Sequence, residues 1–186
     1  SGYGARSRDF VRALIESKPD WDIHILSQRW GQTPMDALKV GEDDDLLSRI
    51  ITQKLDRKPN IWIQITVPNE FQPVGDYNIG VTAGVETTIM PPECLEGINR
   101  MDLTLVSSNF TKEVIQNSVF DKKDQNTGQL LGQLKLEKPV EVLFEGIDLE
   151  VYNEKAPSED RINKVMMGIE EPFAFLFVGH WLKGEF

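Results

Sequence analysis

Apolar and polar positions along this chain switch repeatedly between a period of about 3.6 and a period of two. Phe10, Val11, Leu14 and Ile15 fall on one broad face, which predicts a helix over 4–18 stopped by Pro19. Trp21, Ile23 and Ile25 then alternate with Asp22 and His24, which predicts a strand over 21–28. A loop over 31–45 ends in Glu42-Asp43-Asp44-Asp45. Leu47, Ile51 and Leu55 recur every four residues and predict a helix over 46–55, broken by Pro59-Asn60. A strand over 61–67 follows. The pattern then repeats as strand 77–83, helix 91–100, strand 103–107 and helix 109–120. Residues 121–137 are polar and rich in Gly and Gln, which predicts a mobile surface insertion. A strand over 140–144 comes next. Ser158 reads as an N-cap, with Glu159 and Asp160 in the first turn, where the helix dipole favours acids. Ile162, Val165, Met166 and Ile169 form a helical stripe. Phe173–Val178 is nearly all apolar, as expected of a strand buried on both faces.

Strands alternating with helices predict an α/β fold: a Rossmann-like three-layer sandwich with a mainly parallel sheet. Ligands of such sheets sit beyond the carboxyl ends of the strands. The segment Tyr77–Val106 reads as strand, loop, helix and strand within about thirty residues, the length of a βαβ unit. Its loop holds Glu86, Thr87 and Thr88 at a strand's carboxyl end. Both ends of the sequence read as cut. Gly2-Tyr3-Gly4 reads as a loop leading straight into a helix with no strand ahead of it. The buried run 173–178 has no helix after it. The expected division is an N-terminal domain over 1–157, lacking its first strand, followed over 158–186 by a linker helix and the start of a second, truncated domain.

Composition narrows the function classes. The 186 residues are 40% hydrophobic and 27% charged, ordinary for a globular protein. The formal net charge of -10 argues against general nucleic-acid binding, which gains from neutralising phosphates. One cysteine, Cys94, rules out an intrachain disulfide and any metal-type Cys spacing. No run approaches the roughly 18 apolar residues of a membrane span, and no basic-then-apolar leader is visible. These features fit a cytoplasmic protein, with peripheral membrane contact left open. The sequon Asn109-Phe110-Thr111 reads as a chance triplet.

Several of these segments resemble one family. Asn78-Ile79-Gly80-Val81-Thr82, Glu86-Thr87, Pro91-Pro92-Glu93, Asn99-Arg100-Met101-Asp102 and Val106-Ser107-Ser108-Asn109-Phe110 resemble a run in retaining GT-B glycosyltransferases of the family-four type. That run is G-Y-T-x-x-E-T, then P-P-E-W, N-x-x-D and V-P-S-x-F. Val142–Asp148 is similar to the family's V-V-P-N-G-V-D, and Phe175–Gly179 to the F-L-F-V-G-R that opens its second domain. Gly2-Tyr3-Gly4 is similar to its glycine loop. The resemblance covers about residues 1–110 and 138–184. It implies an acceptor-side domain with a stub of the donor domain. The full hexosyltransferase-like enzyme would move a sugar from a nucleotide diphosphate sugar to a hydroxyl acceptor with retention. The leaving diphosphate would be stabilised electrostatically, with no metal and no further cofactor. Its partners would be the donor, the acceptor and the missing C-terminal domain, and this fragment by itself would be inactive. The family's paired glutamates have no counterpart here. His180 stands where the family has Arg, and Lys183 lies closer than the family's Lys. Gln64-Ile65-Thr66 lacks the His that the family often carries after this strand.

The substrate-binding candidates are therefore Gly2, Tyr3, Gly4, Glu86, Thr87, Thr88, Ser108, Asn109, Gly146 and Lys183; the catalytic residues are unknown. Each also has a purely structural reading. The N–H groups after Gly2-Tyr3-Gly4 suit a phosphate, or this is a loose end. Glu86 suits sugar hydroxyls, or caps backbone N–H groups. Thr87 and Thr88 read first as caps, as do Ser107, Ser108 and Asn109. Gly146 implies an unusual backbone geometry or a close ligand, or a plain turn. Asp43-Asp44-Asp45 reads as a solvated helix cap, His24 as structural, and Trp21, Trp30 and Trp62 as packing. Two histidines support neither a Ser–His–Asp arrangement nor a His-based metal site. Two other classes stay open: a non-catalytic Rossmann-like module binding a nucleotide or a protein partner, and a GT-B-type sugar-nucleotide epimerase.

Overall fold

The computed structural model describes residues 2–28, 36–53, 56–124, 126–147, 149–150, 152–153, 155, 157–171, 173 and 175. The chain divides into two compact units, residues 1–145 and 146–186. In chain order the first unit holds α1 (Gly2–Ser17), α2 (Asp44–Leu47), β1 (Ile61–Ile65), a 3-10 turn (Pro68–Glu70) and β2 (Tyr77–Thr82). It continues with α3 (Pro92–Asn99), β3 (Leu103–Val106), α4 (Asn109–Asn117), β4 (Phe120–Lys123), β5 (Leu130–Leu134) and β6 (Val140–Val142). Four strands form one parallel sheet in the order β1-β2-β3-β6. Ile61 stands opposite Tyr77, Ile79 opposite Leu103, and Thr104 opposite Val140. The chain has an α/β fold with a mainly parallel sheet, as its alternating pattern predicts.

The crossover helices form where the sequence supplies both a start and an apolar stripe. Pro92 opens α3, where its missing N–H costs nothing. Leu95 and Ile98, three apart, are fully buried there. Ser108 caps α4 by accepting from the Thr111 N–H at 3.1 Å. Thr111, Val114 and Ile115 face inward from that helix. With Phe71, Met90, Met101, Val106, Leu134 and Val140, these apolar side chains make one core. Each large side chain so buried contributes about 1.5–3 kcal/mol of transfer free energy. Glycine permits two close approaches. A Cβ on Gly97 would lie 1.8 Å from the Pro68 carbonyl oxygen, so α3 lies directly against the 3-10 turn. A Cβ on Gly80 would lie 2.5 Å from the Phe71 ring, which occupies that space.

Several local expectations need correction. The strand expected over 21–28 is a single parallel bridge between Ile25 and Ile50. Among the described residues Ile25 has backbone partners only there, and Trp21 is left exposed. The helix expected over 46–55 is one turn, Asp44–Leu47, because Ile50 is drawn into that bridge; residues 54–55 lie outside the described residues. Residues 121–137 are not structureless. They complete the antiparallel hairpin β4–β5, whose turn is built on Asp124. Its carboxylate accepts from the N–H groups of Asn126 and Thr127 at 2.9 and 2.7 Å. α1 starts at Gly2, so Gly2-Tyr3-Gly4 is the first turn of a helix rather than a loop. α4 ends at Asn117, because Ser118 turns extended and bonds Val114 and Met90 with its hydroxyl.

In the second unit, α5 (Glu159–Met166) follows Ser158, which occupies the N-cap position without a side-chain cap bond. Ile162, Val165 and Met166 line a shallow apolar hollow with Pro157 and Arg161. Of the strand expected over 173–178, only Phe173 and Phe175 are described. They lie outside any strand, with their rings edge to face at 5.0 Å.

Candidate functional site

The carboxyl ends of the parallel strands gather most of the candidate residues of the first unit. β2 ends in Thr82, and the Thr82 hydroxyl lies 3.1 Å from the Tyr3 hydroxyl. The Ala83 N–H donates to the Tyr3 oxygen at 3.3 Å. The first turn of α1 therefore sits at the end of β2. Arg6, one turn further on, donates to the Leu143 carbonyl at 3.2 Å and forms an ion pair with Glu145, both just past β6. Its Nε is buried and has no partner among the described residues. The first two turns of α1 thus span from β2 to the strand at the sheet's edge.

The loop after β2 is held in place by α4. Ser107 donates to the Ala83 carbonyl at 3.1 Å. Gly84 adopts φ +94°, and a Cβ there would lie 2.2 Å from the Thr111 methyl, so only glycine fits both demands. Beyond this anchor the loop opens to solvent. Glu86 and Thr88 are exposed and make no side-chain hydrogen bond or ion pair among the described residues. The Thr87 hydroxyl donates to the Ile89 carbonyl at 2.9 Å, the capping role its type suggests. Ser108 is the N-cap of α4, and Asn109 is exposed beside it.

Tyr3, Gly4, Glu86, Thr87, Thr88, Ser108 and Asn109 are thus carried by three chain segments that meet at one edge of the sheet. Gly2 is exposed at the start of α1. Of the readings open for Gly146, the plain turn is the one its backbone fits. Its φ lies outside the left-handed region and a Cβ there would meet nothing within 4 Å, so neither an unusual backbone nor close packing calls for glycine. It begins the second unit. Lys183, His180 and Trp30 lie outside the described residues. Arg6 and Thr82 were not singled out in the sequence. The usable signal for Arg6 was its i, i+3 spacing from Tyr3, which puts both on one face of the helix.

Other polar candidates are engaged by the protein itself. Gln64 accepts from the Gln72 N–H at 2.8 Å and donates to the Glu70 carbonyl at 3.0 Å. The Thr66 hydroxyl lies 2.5 Å from the Glu70 carboxylate. Asp43 accepts from the Lys39 N–H at 2.9 Å and pairs with Arg12 at 2.5 Å. That backbone bond, aided by Arg12, holds its carboxyl below the usual range. Asp44 accepts from the Gly41 N–H at 2.8 Å. The acidic run therefore shapes its own turn instead of converging on a shared point.

Asn78, Asn99, Arg100 and Asp102 lie at the opposite, amino end of the sheet. Asn78 exchanges bonds of 2.7 and 3.0 Å with the Gly75 backbone. The Asp102 carboxylate accepts from the Asn78 backbone and side chain at 2.9 and 3.1 Å. Arg100 donates to the carbonyls of Phe71 and Asn69, both at 2.9 Å. Asn99 ties down the backbone of Lys135 and Glu137, each at 2.8 Å. No protein-family model, curated protein or solved structure matches the chain.

Proposed function

We propose that this chain is the acceptor-side half of a retaining GT-B glycosyltransferase, with a Rossmann-like three-layer sandwich as its fold. The full enzyme moves a sugar from a nucleotide diphosphate sugar to a hydroxyl acceptor. One observation carries the reading: the Tyr3 hydroxyl meets Thr82 and Ala83 at the carboxyl end of β2. The helix start of the glycine segment therefore stands beside the loop of Glu86, at the edge where parallel sheets bind ligands. The amino end of α1, where the helix dipole is positive, suits the donor's phosphates. The exposed Glu86 carboxylate suits acceptor hydroxyls, as a charge-assisted acceptor. Retention and a metal-free leaving group rest on the sequence resemblance, and the donor-binding half would belong to the second domain.

The test is release of nucleotide diphosphate by the natural full-length protein from a panel of UDP-, GDP-, ADP- and dTDP-sugars with hydroxyl acceptors. Release that depends on an acceptor supports transfer. A folded protein that binds nucleotide sugars without releasing diphosphate is a binding module. One that only interconverts the sugars is an epimerase.

A further inference from the structure

Arg6 is a mostly buried cation held by an exposed anion. Its side chain is 13% exposed, the least of any ion-paired cation among the described residues. Its ion partner, Glu145, is 52% exposed and makes no other side-chain hydrogen bond or ion pair among those residues. No helix or strand holds Glu145, which lies past the end of β6. A guanidinium carries five N–H donors. In Arg6, Nη2 donates to the Leu143 carbonyl, Nη1 meets one oxygen of Glu145, and the buried Nε has no acceptor among the described residues.

The Arg12–Asp43 pair shows how this chain builds a fixed ion pair. There the anion is the more buried member, 13% exposed against 43% for the cation. Asp43 is also held by the Lys39 N–H at 2.9 Å, so its place does not depend on Arg12. At Arg6 the order is reversed. A cation taken out of water needs an anion beside it. The anion supplied sits on a solvent-facing segment, where an ion pair is weak and readily exchanged.

The surroundings select the anion that can take its place. Tyr3, on the same helix face as Arg6, brings its hydroxyl to within 3.1 Å of the Thr82 hydroxyl at the end of β2. A phosphoryl group carries three acceptor oxygens and nearly two charges at neutral pH. A guanidinium can hold it through two parallel N–H bonds, more than Glu145 uses. The chain's net charge of -10 repels anions in general, so binding one calls for a dedicated cation. We propose that Arg6 is the seat of a phosphoryl-binding site, which the protein's own Glu145 carboxylate fills until a phosphorylated ligand displaces it. This goes beyond the transfer reading and does not depend on it: a protein that releases no diphosphate can still bind a phosphoryl group through Arg6.

The experiment is titration calorimetry of the natural full-length protein with pyrophosphate as the probe, at fixed ionic strength near neutral pH. Glu145→Gln removes the competing charge and should bind pyrophosphate about 10-fold more tightly than the unaltered protein, because the seat is no longer occupied. Arg6→Lys keeps the charge but loses the fork, and should bind about 10-fold more weakly. If Arg6→Lys does not fold, NMR of the unaltered protein replaces it: the Arg6 Nε resonance should move as pyrophosphate is added. Competition by UDP and by glucose 6-phosphate separates the sources, the stronger competitor showing whether a nucleotide or a sugar carries the phosphoryl group. The proposal is overturned if Glu145→Gln binds no more tightly than the unaltered protein, if Arg6→Lys binds equally well, or if the Nε resonance stays fixed. Pyrophosphate binding that neither compound competes for marks an adventitious ion only and overturns it too.

Discussion

The two ends of the parallel sheet use polar residues in opposite ways. At the amino end, Asn78, Asn99, Arg100 and Asp102 spend their hydrogen-bonding capacity on nearby backbone and on each other. Asn78 is almost fully buried, and every bond it makes stays inside the molecule. At the carboxyl end, a thin layer of bonds through Tyr3, Thr82, Ser107 and Ser108 fixes the backbone, and the side chains beyond it face water. Glu86, Thr88 and Asn109 are exposed there. A polar group satisfied internally stabilises the fold and has nothing left for a ligand. A polar group left facing solvent at a fixed position adds little stability and stays available. The same resembling block of sequence supplies both kinds, and only their place in the sheet separates them.

The largest expected effect is at the amino end. Asn78→Ala removes three side-chain bonds and strands the buried Gly75 N–H and carbonyl. Unsatisfied buried groups cost about 1–3 kcal/mol each, with partial relief by water. We expect a loss of about 2–4 kcal/mol, read from the urea midpoint. A loss under about 0.5 kcal/mol would mean that water replaces the network and that the amino end is no more rigid than the other.

A second test uses acid. The carboxyl of Asp102 is held below its usual value of 3.8, first by the Asn78 backbone N–H and then by the Asn78 side chain, with a smaller contribution from Lys138. A carboxylate with a lowered folded pKa stabilises the fold above its unfolded pKa, and that stabilisation disappears as pH falls through the folded value. Stability should therefore drop as pH falls below about 3.8. In Asp102→Asn that drop should be shallower. Thermal melts between pH 2 and 7 read the slope, and an unchanged acid limb would remove Asp102 from the account.

How much of this was legible beforehand follows from local versus distant causes. Ser108 as a cap, the Leu95–Ile98 stripe and the strand at 77–82 are local signals, and each forms as its sequence indicates. The short run 21–28 had the alternation of a strand but depended on a neighbour, and it keeps only the Ile25–Ile50 bridge. The hairpin at 120–134 was hidden by its composition, although the Asp124–Gly128 turn was there to be read. In the candidate site, the loop residues were visible because they follow a strand. Arg6 and Thr82 matter through contacts spanning 137 and 79 residues of sequence; the spacing of Arg6 from Tyr3 sets their shared helix face but not the distant groups they meet. Gly146 stood out through the motif Val142–Asp148 resembles and because glycine often marks special geometry; the backbone here makes no such demand, which leaves the plain-turn alternative.

The smallest expected effect sharpens the contrast at its other end. Tyr3→Phe deletes one hydroxyl that meets Thr82 and the Ala83 N–H. Ala83 is exposed and Thr82 also accepts from the Gly84 N–H, so water and that remaining bond take over. The expected cost is about 0.5–1 kcal/mol, near the net worth of a single partly exposed hydrogen bond. Yet the same hydroxyl is what ties the first turn of α1 to the Glu86 loop. Under the proposed function, its loss should lower acceptor-dependent diphosphate release by about 10-fold, since small misplacements of a binding edge are costly in rate. Measuring urea stability and release on one preparation separates the two quantities. If stability falls as far as in Asn78→Ala while release tracks only the folded fraction, the carboxyl edge is structural, and the distinction between the two ends of the sheet fails.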